Sequence, residues 1–84
     1  MRKRADWMTR SDDEILEFLA KEGAGTPKMI GDAIGSNSNY IGRRCRTLES
    51  YGLVNRPSRG FYTLSEEGEQ YLEGELDAAL LSSE

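Results

Sequence analysis

The very short connection between two predicted helices, around Gly35 and Ser36, constrains the fold more than any other feature. "GTPKMIGDAIG" predicts a helix with Thr26 as its N-cap and Pro27 at its first position. "SNSNYIGRRCRTLESYG" predicts the next helix, over residues 36–51, with Ser36 as its N-cap. Because hardly any chain separates the two helices, they must form a tight helix-turn-helix.

One further helix is predicted before this pair, and a hairpin and a helix after it. "SDDEILEFLAKEG" predicts a helix with a capping box between Ser11 and Glu14. "LVNRPSRGFYTL" alternates with a period of two around the turn signal "PSRG", which predicts a β-hairpin over residues 53–64. "SEEGEQYLEGELDAALLSS" predicts a last helix capped by Ser65.

The element order α-α-α-β-β-α predicts an α+β, mainly helical, winged helix-turn-helix. The 84 residues suit one domain. Within it we expect an N-terminal arm at 1–10, the winged helix-turn-helix at 11–64, and a C-terminal helix at 65–84 for packing or dimerisation.

Composition removes several functional classes. The chain has one cysteine and no histidine, so it can form neither an internal disulfide nor a Cys/His zinc site nor a histidine-based catalytic triad. We therefore expect no cofactor, no metal and no enzymatic activity. No apolar run approaches the ~20 residues that span a membrane, and "MRKR" is followed by polar residues instead of a signal-peptide core. These features predict a cytoplasmic protein.

Positive charge is concentrated in the middle of an acidic chain. The formal net charge is −4, yet residues 36–64 hold five arginines against one glutamate, and residues 65–84 hold seven acids and no base. Such clustering predicts a local anion-binding surface. The alternative is a solvated face whose arginines pair with acids.

The predicted helix 36–51 has two chemically different faces. At about 100° per residue, the buried side collects Ile41, Cys45 and Leu48, which makes Cys45 a core residue and not a redox sensor. The opposite side presents Asn39, Arg43 and Arg46. Arginine can bind guanine with two hydrogen bonds, and asparagine can do the same with adenine. Gly42 leaves one flank of this side bare for a close approach.

These faces, the hairpin and the chain ends predict two sets of site residues. The DNA-binding set is Ser36, Asn37, Asn39, Tyr40, Arg43, Arg46, Arg56, Arg59 and Lys28. The dimer-interface set is Trp7, Tyr71, Leu72, Leu76 and Leu80. Arg44, at the border of the core, is expected to meet an acid of the first helix or a phosphate. Phe61, if it faces outward, either packs at the base of the wing or belongs to an interface, and core packing is favoured. "RKRADWM" either reaches DNA or is anchored through Trp7.

The stretches "WMTRSDDEILEFL" and "YIGRRCRTLESYGLVNRPSRGFYTLSEEGEQYL" resemble small haloarchaeal winged-helix regulators related to the phage phi-H repressor. The resemblance implies a homodimeric DNA-binding transcriptional regulator, often a repressor. It assigns base recognition to Asn39, Arg43 and Arg46, and the wing contact to Arg59. A haloarchaeal setting would also account for the acidic composition.

Two residues depart from the pattern of that group. Cys45 stands where an aliphatic residue is usual, and Tyr51 stands where a small residue is usual. Neither lies on the predicted reading face. The competing interpretation is a winged-helix module for protein–protein interaction without specific DNA binding, which the charged face formed by Arg43 and Arg46 disfavours.

Overall fold

The computed structural model describes residues 1–83 and contains the predicted order of elements. The helices and strands are α1 (Arg10–Glu22), α2 (Pro27–Ile34), α3 (Ser38–Ser50), β1 (Val54–Ser58), β2 (Phe61–Leu64) and α4 (Glu66–Leu72), followed by a 3-10 turn (Ala78–Leu80). The α2 and α3 helices pack against each other, and β1 pairs antiparallel with β2. The prediction of a winged helix-turn-helix is confirmed.

The helix-turn-helix connection is tight, as the sequence predicts, but its capping residue differs. Gly35 adopts a left-handed conformation, with φ of 74°, and ends α2. Asn37, not Ser36, caps α3: its Oδ1 accepts the N–H groups of Asn39 and Tyr40 at 2.8 and 3.3 Å. The Ser36 N–H donates to the Gly31 carbonyl at 2.8 Å and so belongs to the turn.

The first helix also begins earlier than predicted. Its N-cap is Thr9, and the capping box joins Thr9 to Asp12 instead of Ser11 to Glu14. The Thr9 N–H donates to Asp12 Oδ2 at 3.0 Å. The sequence offers both boxes in overlapping positions, and the tertiary contacts of Asp12 described below favour the earlier one.

The core lies between α1, α3 and the wing. Its largest fully buried side chains include Ile15, Leu16, Leu19, Ile30, Ile41, Leu48 and Leu53. Cys45 is fully buried with Ile41 and Leu48, which confirms its predicted place in the core. Burial raises the pKa of its thiol to about 12.

The wing turns later than the Pro and Gly signal suggests. Pro57 and Ser58 belong to β1, Ser58 pairs with Phe61, and Gly60 has a φ of 76° at the turn. Because neighbouring strand residues face opposite ways, Tyr62 is buried while Phe61 remains 42% exposed. The favoured prediction, that Phe61 packs in the core, is therefore wrong, and its side chain lies at the surface.

A backbone bridge fixes the wing beside the helix-turn-helix. The Gly25 N–H donates to the Tyr62 carbonyl at 3.0 Å, and the Tyr62 N–H donates back to Gly25 at 2.9 Å. Since Gly25 directly precedes the N-cap of α2, this bridge places the wing turn next to the start of α2.

The predicted helix over residues 65–84 is correct only in its first part. Ser65 caps α4 as predicted, but the helix ends at Leu72. The reason is Gly74, whose φ of 79° cannot continue a right-handed helix. Glu84, the last residue of that prediction, lies outside the described residues.

Residues 1–10 lie against the body of the protein and do not form a free arm. Ala5 and Met8 are buried in the core. Lys3 forms a parallel bridge with Asp77, and the Ala78 N–H donates to the Lys3 carbonyl at 3.0 Å. Over residues 1–83, no helix has the length and apolar character needed to cross a membrane.

Candidate nucleic-acid interface

An open groove of about 660 Å³ lies between the start of α2, the first half of α3 and the wing turn. The bridge between Gly25 and Tyr62 sets one side of this groove, and the tight helix-turn-helix sets the other. Its lining residues are Thr26, Pro27, Lys28, Ser38, Asn39, Gly42, Arg43, Arg46, Arg59, Gly60 and Phe61.

The groove is cationic although the protein is acidic. Four of its lining residues are Lys or Arg, and none of them is Asp or Glu. The Nζ atom of Lys28 lies 3.3 Å from Oδ2 of Asp32, so this lysine forms an ion pair within its own helix. Among the ion pairs formed within residues 1–83, none involves Arg43, Arg46 or Arg59, and these three side chains are exposed. Three guanidinium groups are thus available to an anionic partner.

Gly42 forms part of the groove floor. It is buried, and a Cβ at this position would lie 3.8 Å from both Pro27 Cβ and the Arg46 guanidinium. Helix α3 therefore runs close to the start of α2, and the Arg46 side chain extends over Gly42.

The structure brings together five of the nine predicted DNA-binding residues, namely Lys28, Asn39, Arg43, Arg46 and Arg59. The others lie outside the groove lining. Tyr40 turns towards α1, with its hydroxyl 3.5 Å from Thr9 Oγ1. Arg56 has its Nε 3.6 Å from a carboxylate oxygen of Glu49. Ser36 and Asn37 form the turn and the cap described above.

Sequence reasoning missed Ser38 and Phe61 as lining residues. Ser38 was hidden by the choice of Ser36 as N-cap, which placed the helix start too early. Phe61 could have been found from strand parity, because it alternates with Tyr62 and only one of the two can face the core.

Comparison with known proteins identifies the family. The family model described as winged helix-turn-helix phage repressor matches residues 1–84. The chain belongs to this phage repressor family. A curated relative, the repressor protein of Halobacterium phage phiH, is 38% identical in an alignment of 87 positions, gaps included, that covers 90% of this chain and 91% of the relative.

Solved structures agree with this assignment. The PhiH1 repressor-like protein from Haloarcula marismortui matches with a TM-score of 0.91 and 37% identity, covering 100% of this chain and 98% of that one. The YusO protein from Bacillus subtilis matches with a TM-score of 0.75 and 19% identity over 86% of this chain and 55% of that one. A transcriptional regulator from Thermotoga maritima matches with a TM-score of 0.70 and 20% identity, over 84% of this chain and 53% of that one. These last two likenesses show the fold alone.

In this member of the phage repressor family, Arg44 faces the core side of α3. Its Nε donates to Asp12 Oδ1 at 2.9 Å and its Nη2 donates to Asp12 Oδ2 at 2.7 Å. The hydrogen bond to Asp12 raises the pKa of the guanidinium. The prediction that Arg44 meets an acid of α1 is confirmed.

The residues predicted for a dimer interface differ widely in exposure. Leu80 is 83% exposed, whereas Leu72, Leu76 and Trp7 are half-buried. Tyr71 is fully buried inside its own chain, and its hydroxyl donates to Asp13 at 2.6 Å. Tyr71 thus offers no surface to a second copy, and we leave it out of the interface proposed below.

Proposed function

We propose that this protein is a sequence-specific transcriptional repressor that binds double-stranded DNA with α3 in the major groove. The observation that carries the proposal is the grouping of Arg43, Arg46 and Arg59 in one open groove that no acidic residue lines. The repressor protein of phage phiH, similar over nine-tenths of this chain, supports the regulatory role.

The spacing on α3 suits base reading. Arg43 and Arg46 are three residues apart, which is about 4.5 Å along a helix axis, and bases on one DNA strand are about 3.4 Å apart. Each guanidinium can donate to the N7 and O6 atoms of guanine. We therefore expect guanines at neighbouring or next-neighbouring positions of the half-site. Asn39, one turn earlier, would read an adjacent adenine.

The wing supplies a second kind of contact. Arg59 stands at its turn and would reach a phosphate or the minor groove. Phe61 follows on the groove side and would contact deoxyribose or a thymine methyl group, because it is an exposed aromatic ring between cationic residues. Ser36, Asn37 and Lys28 remain proposed phosphate contacts.

We also propose that the protein acts as a homodimer through the exposed apolar side of its C-terminal segment. Leu80 is the most exposed apolar side chain of this segment, and Leu76 and Leu72 lie nearby along the chain. A two-fold axis would make the operator roughly palindromic, with half-sites one helical turn apart. Size-exclusion chromatography with light scattering tests this, and a monomer at micromolar concentration would contradict it.

The test of DNA reading begins with selection of a preferred duplex from a random pool. Fluorescence anisotropy then compares this duplex with a scrambled one across salt. Arg43→Ala and Arg46→Ala should each weaken binding to the selected duplex by about 5- to 150-fold, as the loss of a bidentate base contact costs about 1–3 kcal/mol. Lys21→Ala is the control, since Lys21 is exposed and basic but does not line the groove.

Two results would contradict the proposal. One is a wild-type protein without preference between the duplexes, which would favour the protein-interaction module instead. The other is unchanged binding in both Arg43→Ala and Arg46→Ala.

A further inference from the structure

One carboxylate in the core has no part in the groove. Asp12 is fully buried, and its side chain accepts two hydrogen bonds from Arg44 and one from the Thr9 N–H. Arg44 completes the arrangement by donating to the Trp7 carbonyl at 3.1 Å. The start of α1 is thereby tied to the middle of α3.

Two further contacts extend this connection along α3. Near the start of α3, the Tyr40 hydroxyl lies 3.5 Å from Thr9 Oγ1. At its end, Trp7 stacks on Tyr51 with ring centroids 3.8 Å apart and an interplanar angle of 9°. Residues 40 to 51 span about 16 Å of helix, so one short segment holds α3 at its start, middle and end.

The chemistry of the central contact favours a role in orientation over one in stability. Replacing a buried ion pair by apolar side chains is often neutral or stabilising. The pair instead fixes the orientation of α3 relative to α1, because a guanidinium group binds a carboxylate through two hydrogen bonds in one planar geometry.

Orientation matters because base reading tolerates little movement. A tilt of α3 by about 10° around its centre would displace its ends by nearly 2 Å, which is enough to break a hydrogen bond to a base edge. Phosphate contacts made by long, exposed side chains would survive such a tilt.

We propose that residues 7–12 form a brace that positions α3, and that the pair of Asp12 and Arg44 is the positioning element that lets this protein discriminate between DNA sequences. The proposal rests on the function proposed above. Asp12 is a positioning residue and touches no DNA, because it is buried and negatively charged.

The first experiment measures discrimination in Asp12→Asn and Arg44→Lys. Both changes keep side-chain size close to that of the native residue but remove the bidentate ion pair. Anisotropy gives the ratio of the affinity for the selected duplex to the affinity for the scrambled duplex. This ratio should be at least fivefold lower in both variants than in the wild type, while the affinity for the scrambled duplex stays unchanged or rises. Ile15→Val, a core change in α1 outside the brace, is the control for lost stability and should keep the wild-type ratio.

Asp12→Asn separates the brace from a direct contact. If Arg44 acted by binding a phosphate itself, Arg44→Lys would change affinity for both duplexes, and Asp12→Asn would leave the ratio intact. A wild-type ratio in Asp12→Asn overturns the brace.

A second experiment needs no DNA. Residual dipolar couplings of the backbone amides report the angle between α1 and α3, which should change or become averaged in Asp12→Asn and Arg44→Lys but not in Ile15→Val. If the wild type fails to discriminate between duplexes, the proposed function fails, and these couplings still decide whether the brace positions α3. Wild-type couplings in both variants would overturn it.

Discussion

Replacing Gly31 by alanine should destabilise the helix-turn-helix, although alanine is the better helix former. A Cβ at Gly31 would lie only 2.6 Å from the Ser36 carbonyl oxygen. That oxygen belongs to the backbone of the turn, which the hydrogen bond from the Ser36 N–H to Gly31 already holds close. Because the atom in the way is backbone, forcing such a contact costs about 2–3 kcal/mol, the upper part of the range for overpacking, against about 1 kcal/mol gained in helix propensity. We expect a net loss of about 1–2 kcal/mol.

Gly42 offers the matched comparison on the neighbouring helix. A Cβ there would meet its nearest neighbours at 3.8 Å, an ordinary van der Waals distance. Gly42→Ala should therefore keep the gain in helix propensity, about 1 kcal/mol. The two variants should differ in free energy of unfolding by about 2–3 kcal/mol, although they carry the same substitution.

Urea unfolding followed by circular dichroism measures this difference directly, and equal m-values would show that both variants unfold from a similar native state. A domain of this size shifts its melting temperature by about 4–8 °C for each kcal/mol, so the melting temperatures should lie about 10–20 °C apart. A Gly31→Ala variant as stable as Gly42→Ala would refute the argument that backbone crowding requires glycine at the turn.

Three further outcomes are expected. Arg59→Ala should lower DNA affinity and reduce the slope of log affinity against log salt concentration by about one. Phe61→Ala should lower DNA affinity but leave this slope unchanged. Anisotropy titrations across salt measure both, and equal slope changes would contradict an apolar contact by Phe61. The Cys45 thiol should resist a thiol reagent at pH 8 until the protein unfolds, because burial raises its pKa from 9.0 to about 12; fast labelling of the native protein would count against this. Burial and the hydrogen bond to Asp13 raise the pKa of Tyr71 from 10.0 to about 12. The stability that depends on the neutral phenol is therefore present below pH 10 and lost as the pH rises towards 12. Urea unfolding across this range should show that the free energy of unfolding depends less on pH in Tyr71→Phe than in the wild type.

The fold could be predicted because its decisive signals are local. Thr26, Pro27 and Ser65 are helix-start residues whose conformations depend on nearby backbone, and each has its predicted role. The face of α3 that contains Cys45 followed from helical geometry alone. Such arguments need no knowledge of which elements touch.

What could not be predicted depends on contacts between distant residues. Whether Ser11 or Thr9 caps α1 is decided by Asp12, whose partner Arg44 lies 32 residues away. Where residues 1–10 are anchored could not be predicted for a similar reason, since their partners include Asp77 and Ala78, more than 70 residues away. Among the residues predicted for DNA binding, the pairing of Arg56 with Glu49 depends on how the wing packs against α3, which the sequence does not show.

Tyr51 shows how a departure from a family pattern can be interpreted once the structure is known. The resemblance to phi-H-type regulators led us to expect a small residue at this position, and the sequence alone offers no reason for a tyrosine. In the structure its ring stacks on the ring of Trp7, and this contact accounts for an aromatic residue at position 51.

The pairing of Lys3 with the segment at Asp77 and Ala78 has a consequence for how the protein is made. A ribosome adds about 5–20 residues per second, so Lys3 is synthesised about 4–15 s before Asp77 and Ala78. Until that segment is available, Ala5 and Met8, which share the core with Ala78, cannot be fully packed. Residues 1–10 can therefore reach their final positions only after the segment around Asp77 and Ala78 has left the ribosome.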